Sequence, residues 1–164
     1  MNVDQSLTAA FTGHRNYDGC VDEALRQTIT TLFDRGIHTF LSGMAVGFDL
    51  AAAEAVLELR LSLPELRLIA VVPFVGQAYC FPVAERVRYD SILAAADQTI
   101  VIEEHYTPAC YAHRNDFLVD QASVLVAYYD GSTGGTRYTV KRARRLKSEV
   151  LNLWVDPQLE IPNL

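Results

Sequence analysis

The chain has 164 residues, 50% of them hydrophobic, and its 20 acidic and 14 basic residues give a formal net charge of −6. This length suits one globular domain with a stable core, and the composition excludes collagen-like, fibrous and intrinsically disordered classes. The negative charge disfavours non-specific attraction to nucleic acid, because phosphate binding depends on cations. We therefore predict one domain over residues 1–164, with its core at about 7–155 and tails at 1–6 and 157–164.

Apolar runs alternate with segments of helical length along the whole chain. Strands are predicted at Leu7–Phe11, Ile37–Leu41, Leu66–Val72, Gln98–Ile102, Ser123–Tyr128 and Glu149–Val155. Helices are predicted at Val21–Arg35, Asp49–Leu61, Pro82–Ala96, Ala109–Gln121 and Thr136–Lys147. This alternation predicts an α/β fold with a doubly wound, mostly parallel sheet and helices on both faces. Ligands are expected in the crevice at the carboxyl ends of the strands.

Membrane, secretory and metal-binding classes have no support in the sequence. The longest apolar run, Leu68–Val75, is far shorter than the roughly 18 to 20 residues of a membrane span. Met1–Gln5 lacks the basic start of a secretory signal, so we expect a cytoplasmic protein. The three cysteines form no C-x-x-C pair and the histidines have no ligand spacing, so we expect neither a disulfide framework nor a metal site.

A first candidate loop, Thr12-Gly13-His14-Arg15, follows the first predicted strand. Glycine permits close approach of the backbone to a ligand, and His14 and Arg15 offer donors suited to phosphate or carboxylate. A tight turn with a surface arginine is the alternative interpretation.

A second candidate loop runs from Ser42 to Asp49 (SGMAVGFD) and includes Gly43, Met44 and Gly47. It opens an alanine-rich helix that carries Glu54, and a glycine loop at a helix start presents free N–H groups that can hold phosphate. The loop matches neither G-x-G-x-x-G nor the Walker pattern. Asp49 has an alternative interpretation as a helix N-cap, and Glu54 as a solvated helix residue.

A third candidate loop follows the fifth strand and contains Asp130, Gly131, Gly134, Gly135 and Thr136. Its glycines can supply a nest of N–H groups, with Thr136 capping the next helix. We expect the second and third loops to form two phosphate cradles that hold one ligand. Aspartate at Gly47 or Gly135 is then expected to abolish binding and leave the fold largely intact.

Four further residues are candidates for contacts with the rest of the ligand. Phe74, after Pro73, could stack on a base, or it could simply pack. Arg114 could hold an anion and Asn115 could bind sugar hydroxyls, or Arg114 could form a surface ion pair.

These motifs together resemble the YpsA-type (DUF1273) family of the SLOG superfamily, which also contains DprA and the LOG enzymes. The resemblance covers about residues 7–155 and implies a Rossmann-like domain whose pocket holds a nucleotide or nucleotide-derived ligand. For this family the ligand is expected to be related to ADP-ribose or NAD. The resemblance implies binding roles for Gly13, Gly43, Gly47, Asp49, Glu54, Arg114, Asn115, Gly134, Gly135 and Thr136.

Three functions follow as alternatives. The first is a sensor or signalling domain that binds the nucleotide-like ligand. The second is LOG-type hydrolysis of a nucleoside monophosphate, although the glutamate that LOG enzymes carry after G-G-T is absent here; Glu54, Asp49 and Arg114 are the catalytic candidates. The third is DprA-like binding of single-stranded DNA through the basic residues Lys141, Arg142, Arg144, Arg145 and Lys147, which the net charge disfavours. Other members of the superfamily form dimers, so a homodimer is an expectation.

Overall fold

The computed structural model describes residues 3–156 as one sheet of parallel strands covered by helices. The order of the strands is β4-β3-β2-β1-β5-β6, and every neighbouring pair is parallel. The doubly wound, Rossmann-like sheet predicted from the alternation of elements is confirmed. The strands are β1 Thr8–Gly13, β2 Thr39–Ser42, β3 Arg67–Phe74, β4 Gln98–Glu103, β5 Val124–Tyr128 and β6 Glu149–Asn152.

The helices also lie close to their predicted positions. They are α1 Asp22–Asp34, α2 Phe48–Leu59, α3 Val83–Ala95, α4 Cys110–Asp120 and α5 Gly135–Arg145, with short 3-10 turns at Gln5–Leu7 and Gln77–Cys80. Within residues 3–156, none of the helices combines the length and apolar character needed to span a bilayer.

The predicted N-terminal tail is partly ordered. The Asp4 carboxylate accepts a hydrogen bond from the Ser6 N–H at 3.0 Å, and the Thr8 hydroxyl donates to the Asp4 carbonyl at 2.7 Å. These bonds hold the first 3-10 turn against β1. The predicted tail at 157–164 lies outside the described residues.

Two apolar cores cover the two faces of the sheet. On one face, α1 presents Leu25, Ile29 and Leu32 as a fully buried stripe, beside α2 and α3. On the other face, residues such as Leu118 of α4 and Val140 of α5 form a second core. The predicted arrangement of helices on both faces is confirmed.

The order of the strands reverses between β1 and β5. Ala10 of β1 pairs with Leu41 of β2 on one side and with Leu125 of β5 on the other. From β1 the chain proceeds outward to β4 and then crosses back to β5, so the loops after β1 and β5 lead to helices on opposite faces. Such a switch point opens a crevice between the two loops.

Aromatic packing fixes the backbone beside this switch point. The fully buried ring of Phe48 stacks on Tyr128 at a centroid distance of 5.7 Å and meets Phe11 edge-on at 6.4 Å. Gly13, at the end of β1, leaves room for this ring, because a Cβ at Gly13 would lie 2.4 Å from a Phe48 side-chain carbon.

We predict that Gly13→Ala lowers the free energy of unfolding by about 1 to 3 kcal/mol, because a methyl group there overpacks the buried Phe48 ring. Gly135→Ala is the matched control, since the nearest atom to its added Cβ would be an ordinary 3.6 Å away. Urea denaturation of both variants measures the effect. Equal unfolding midpoints for the two variants would contradict this account of Gly13.

Candidate functional site

An open cleft of about 420 Å³ lies at the carboxyl ends of β1 and β5. Its walls come from the loops after β1, β2 and β5, together with one face of α4. The lining residues are Thr12, Gly13, His14, Arg15, Ala45, Asp49, Tyr111, Arg114, Asn115, Leu118, Thr133, Gly134, Gly135 and Thr136. Most of the residues predicted from the first and third loops, and both residues predicted from α4, therefore meet around one space.

The third predicted loop forms an open helix N-terminus at this cleft. Gly134 precedes α5 with a φ of 140° and no side chain caps the helix, so Thr136 lies within the first turn and is not the cap predicted from the sequence. The first intrahelical bond runs from the Tyr138 N–H to the Gly134 carbonyl at 3.1 Å. The N–H groups of the first turn have no partner within the helix and remain available to an anion.

In the second predicted loop, the carboxylate of Asp49 is hydrogen-bonded to the backbone of the loop itself. Asp49 lies in the first turn of α2, after an N-cap at Gly47, and only 5% of it is exposed. Its Oδ2 accepts a hydrogen bond from the Ala45 N–H at 3.3 Å, whereas Oδ1 is buried without a hydrogen-bond partner in the described part of the chain. Neither helix has a side-chain cap, so the second loop differs from the third in this buried, unsatisfied acceptor.

The first residues of the second loop, which do not line the cleft, are held by hydrogen bonds within the loop. The Ser42 hydroxyl donates to the Asp49 carbonyl at 2.9 Å and accepts from the Met44 N–H at 3.2 Å. Met44 is fully buried with a φ of 62°, a backbone conformation that is strained for a side chain of this kind. Ser42, Gly43 and Met44 thus support the cleft from behind and do not line it.

Gly47 also has a structural role. Its φ is 86°, and an added Cβ would lie 2.3 Å from the Arg15 carbonyl oxygen. Aspartate at Gly47 would therefore disturb the contact between the first and second loops, and the expectation that it spares the fold is wrong. Gly135 has room for a side chain.

Glu54 does not reach the cleft. Its carboxylate accepts a hydrogen bond from Arg88 Nε at 2.8 Å, in a separate groove lined by α1, α2 and α3. Glu54 lies five positions after Asp49 in α2, which turns their side chains roughly 140° apart around the helix axis. The interpretation of Glu54 as a surface helix residue fits its position, and its proposed role in ligand contact does not.

Arg114 is the buried cation of the site, with 5% of it exposed. Its Nε donates to the Asn115 side-chain oxygen at 2.7 Å, and Nη1 donates to the Gly43 carbonyl. Gln77 Nε2 donates to the same carbonyl at 3.2 Å. The surface ion pair considered for Arg114 is absent from the described structure, and the guanidinium instead holds the second loop against α4.

Burial shifts the proton equilibria of both charged groups. It raises the pKa of Asp49 to about 6, against the attraction of Arg114, the Ala45 N–H and Arg15. Burial also lowers the pKa of Arg114, although the attraction of Asp49 opposes this shift. Among the described residues that line the cleft, Asp49 is the one carboxylate, so its ionisation sets the charge that a ligand meets.

A contact between His14 and Asp130 joins the first and third loops. His14 Nε2 lies 2.8 Å from the Asp130 carboxylate and 3.0 Å from the Asp130 backbone N. The Asp130 carboxylate also accepts from the Ser132 N–H at 2.9 Å, and these contacts hold the pKa of Asp130 below its usual value. Asp130 and its neighbour Gly131 thus shape the loop without lining the cleft.

Some lining residues were not predicted from the sequence, and two further predicted residues, Pro73 and Phe74, are not among those that line the cleft. Pro73 is buried at the end of β3, and the Phe74 ring packs edge-on against Tyr111 at 6.0 Å. The missed lining residues are Ala45, Tyr111, Leu118 and Thr133. Tyr111 and Leu118 lie on α4, and only its packing across the sheet shows which of its faces meets the cleft.

A model of the YspA SLOG family (YpsA) matches residues 9–154. The chain belongs to this family. It is 30% identical over 137 residues to a UPF0398 protein of Bacillus cereus (strain G9842), covering 82% of this chain and 74% of that protein. A UPF0398 protein of Bacillus thuringiensis (strain Al Hakam) is 28% identical over 135 residues, covering 81% and 73%. The resemblance noted in the sequence is confirmed.

Solved structures of DNA processing protein A share the fold of this SLOG-family chain. The Streptococcus pneumoniae protein superposes with a TM-score of 0.64 at 19% identity, covering 90% of this chain and 50% of that one. The Helicobacter pylori protein, described for its binding of single-stranded DNA, gives 0.65 at 18% identity, covering 90% and 65%. The chain thus spans about half to two thirds of these proteins, and at these identities the likeness establishes the fold.

Ionisation of Asp49 should make the stability of this family member depend on pH. The carboxyl ionises at a higher pH in the folded protein, where its pKa is about 6, than at its ordinary value of 3.8. Between these values the folded state binds more protons than the unfolded state, so stability falls as the pH rises. Between pH 4 and pH 7 we expect the wild type to lose about 2 kcal/mol relative to Asp49→Asn.

Urea denaturation of the wild type and of Asp49→Asn at both pH values measures this change. Comparing the two proteins cancels the contributions of all other titrating groups. The account is contradicted if the difference in the free energy of unfolding between the two proteins stays constant, or changes in favour of the wild type, as the pH rises. Asp49 would then not occupy a buried position that disfavours its ionised form.

Proposed function

We propose that the cleft binds a phosphorylated, ribose-containing small molecule, a nucleotide or a nucleotide derivative such as ADP-ribose, and that the domain acts as a sensor of this ligand. The observation that carries the proposal is the pairing of an open helix N-terminus at Gly134 and Gly135 with the unpartnered Oδ1 of buried Asp49 in one space. The first supplies donors for an anion and the second supplies an acceptor for a donor group.

The phosphate belongs at α5 in this proposal. The N–H groups of the first turn and the positive end of the helix dipole favour an anion, and Arg15 contributes a cation to the same cleft. The start of α2 is a poorer phosphate site, because its Asp49 carboxylate would repel the phosphate when ionised. One phosphate cradle therefore replaces the two expected from the sequence.

The sugar belongs near Asp49. A ribose hydroxyl can donate to Oδ1, which would satisfy an oxygen that is otherwise buried without a partner. Asn115, beside Arg114, lines the same cleft and offers an amide for another hydroxyl. The cleft volume of about 420 Å³ lies within the range of small-molecule pockets.

A thermal-shift screen identifies the ligand. The panel contains ADP-ribose, NAD, AMP, CMP, ribose 5-phosphate and a thymidine oligonucleotide. A ligand at about 100 times its dissociation constant stabilises the protein by roughly 2.7 kcal/mol, which moves the unfolding midpoint by several degrees at this chain length. A shift with the small phosphorylated compounds supports the proposal, and a shift with the oligonucleotide alone contradicts it.

We predict that Gly135→Asp weakens binding of ADP-ribose more than about tenfold, because it places a carboxylate where the phosphate is held. Gly135→Asn is the matched control, since it adds nearly the same volume without the charge and should retain most of the affinity. Isothermal titration calorimetry compares the two variants. Equal affinities of Gly135→Asp and Gly135→Asn for ADP-ribose would show that the phosphate is not bound at the start of α5.

Hydrolysis of an N-glycosidic bond is the second candidate, and the position of Asp49 is the observation that favours it. A carboxylate with a raised pKa in a cleft can act as a general acid or stabilise a cationic transition state. Incubation of the protein with AMP, CMP or NAD, followed by chromatography, detects a released base. A base that is released by the wild type and not by Asp49→Asn would establish the hydrolase activity and the role of Asp49 in it.

Binding of single-stranded DNA is less well supported by the basic residues of α5. Arg142 is paired with Asp120 at 2.8 Å and with Asp116 at 3.3 Å, which leaves less positive charge for a phosphate backbone. The exposed Lys141, Arg144 and Arg145 fit the interpretation of a solvated helix face near a negative helix end. The oligonucleotide in the screen tests this function directly.

A further inference from the structure

Tyr111 gives one wall of the cleft an aromatic surface that the phosphate and sugar contacts leave unused. The residue lies in the first turn of α4 and is half-buried. Its ring centroid is 6.0 Å from the guanidinium carbon of Arg15 and 5.8 Å from that of Arg114. The ring therefore lies beside both cations of the proposed ligand site.

Phe74 links Tyr111 to a second tyrosine. The ring planes of Phe74 and Tyr111 meet at 87° with centroids 6.0 Å apart, and those of Phe74 and Tyr106 meet at 78° and 5.4 Å. Tyr106 is 62% exposed, whereas Phe74 is half-buried at the end of β3. The three side chains thus form an aromatic row, with Phe74 in the middle and the tyrosines, Tyr106 and Tyr111, at its two ends.

We infer that Tyr111 forms the stacking surface for the base of a nucleotide whose phosphate is held at α5, with Tyr106, which is outside the residues that line the cleft, at the outer end of the same aromatic row. This inference rests on the proposed function and adds the part of the ligand that the sugar and phosphate contacts do not recognise.

The geometry supports stacking on these rings. Tyr111 lies in the cleft wall with the guanidinium carbons of Arg15 and Arg114 over its ring, and bases stack on tyrosine rings and on guanidinium planes with little regard to their hydrogen-bonding edges. The surface therefore favours nucleotides over sugar phosphates without selecting one base strictly. Because purines offer a larger face than pyrimidines, we expect AMP to bind more tightly than CMP.

The prediction compares AMP with ribose 5-phosphate, which has the same sugar and phosphate without the base. In the wild type, AMP should bind roughly tenfold or more tightly than ribose 5-phosphate, the range expected for one stacked base. Tyr111→Leu should remove most of this advantage and leave the affinity for ribose 5-phosphate nearly unchanged. Tyr106→Leu should reduce the advantage by a smaller factor.

Tyr111→Phe is the matched control, because it keeps the aromatic face and removes only the hydroxyl. It should bind AMP nearly as well as the wild type in isothermal titration calorimetry. Thermal unfolding of each variant establishes that the fold is retained before binding is compared.

The outcomes separate this inference from the proposed function. Equal affinity of the wild type for AMP and ribose 5-phosphate overturns the stacking surface and leaves the phosphate site standing. Equal weakening of both ligands in Tyr111→Leu also overturns it, since Tyr111 would then act only by positioning Arg114. If neither compound binds the wild type, both the proposed function and the stacking surface are contradicted.

Discussion

After β1 the chain adds β2, β3 and β4 outward on one side, and only then returns to place β5 against the free edge of β1. This reversal is the constraint on which the rest of the structure depends. It sends the loops after β1 and β5 to helices on opposite faces and leaves a cleft between them. The packing of Phe48 against Tyr128 fixes the backbone beside the cleft, and the absence of a side chain at Gly13 makes that packing possible.

Within the cleft, two helix N-termini that look equivalent in sequence differ in chemistry. Neither start has a side-chain cap, but the Phe48 N–H of α2 already donates to the His14 carbonyl at 3.2 Å, whereas Gly134, Gly135 and Thr136 at the start of α5 line the cleft. At the start of α2, Asp49 accepts from the Ala45 N–H and is itself buried, which raises its pKa to about 6. Arg114 stabilises the ionised form of Asp49 from α4 while it binds the Gly43 carbonyl of the same loop. An anion and a hydroxyl donor are therefore expected at different ends of one cleft, an arrangement that suits a sugar phosphate.

Much of the fold was predictable from the sequence, because buried parallel strands read as apolar runs and amphipathic helices have a clear period. Most of the residues predicted in the loops after β1 and β5, together with Arg114 and Asn115, line one cleft, since the carboxyl ends of parallel strands share one edge. What failed required three-dimensional packing. Glu54 is adjacent to the loop in sequence, yet helical geometry turns it toward Arg88. Phe74 follows a strand as expected, but Tyr106 and Tyr111 pack against it. The cation that acts on Asp49, Arg114, lies on α4, which the chain reaches only after two more strands.

The measurement that tests the central claim most directly is a titration of the isotope-labelled protein with ADP-ribose, followed by amide chemical shifts in two-dimensional NMR. The account predicts saturable changes at Gly134, Gly135 and Thr136, where the phosphate is held, together with changes at Ala45 and Asp49 across the cleft. It also predicts little change at Lys141 and Arg145 on the outer face of α5. Shifts confined to that outer face, or no shifts at millimolar ligand, would contradict the assignment of this cleft as the ligand site.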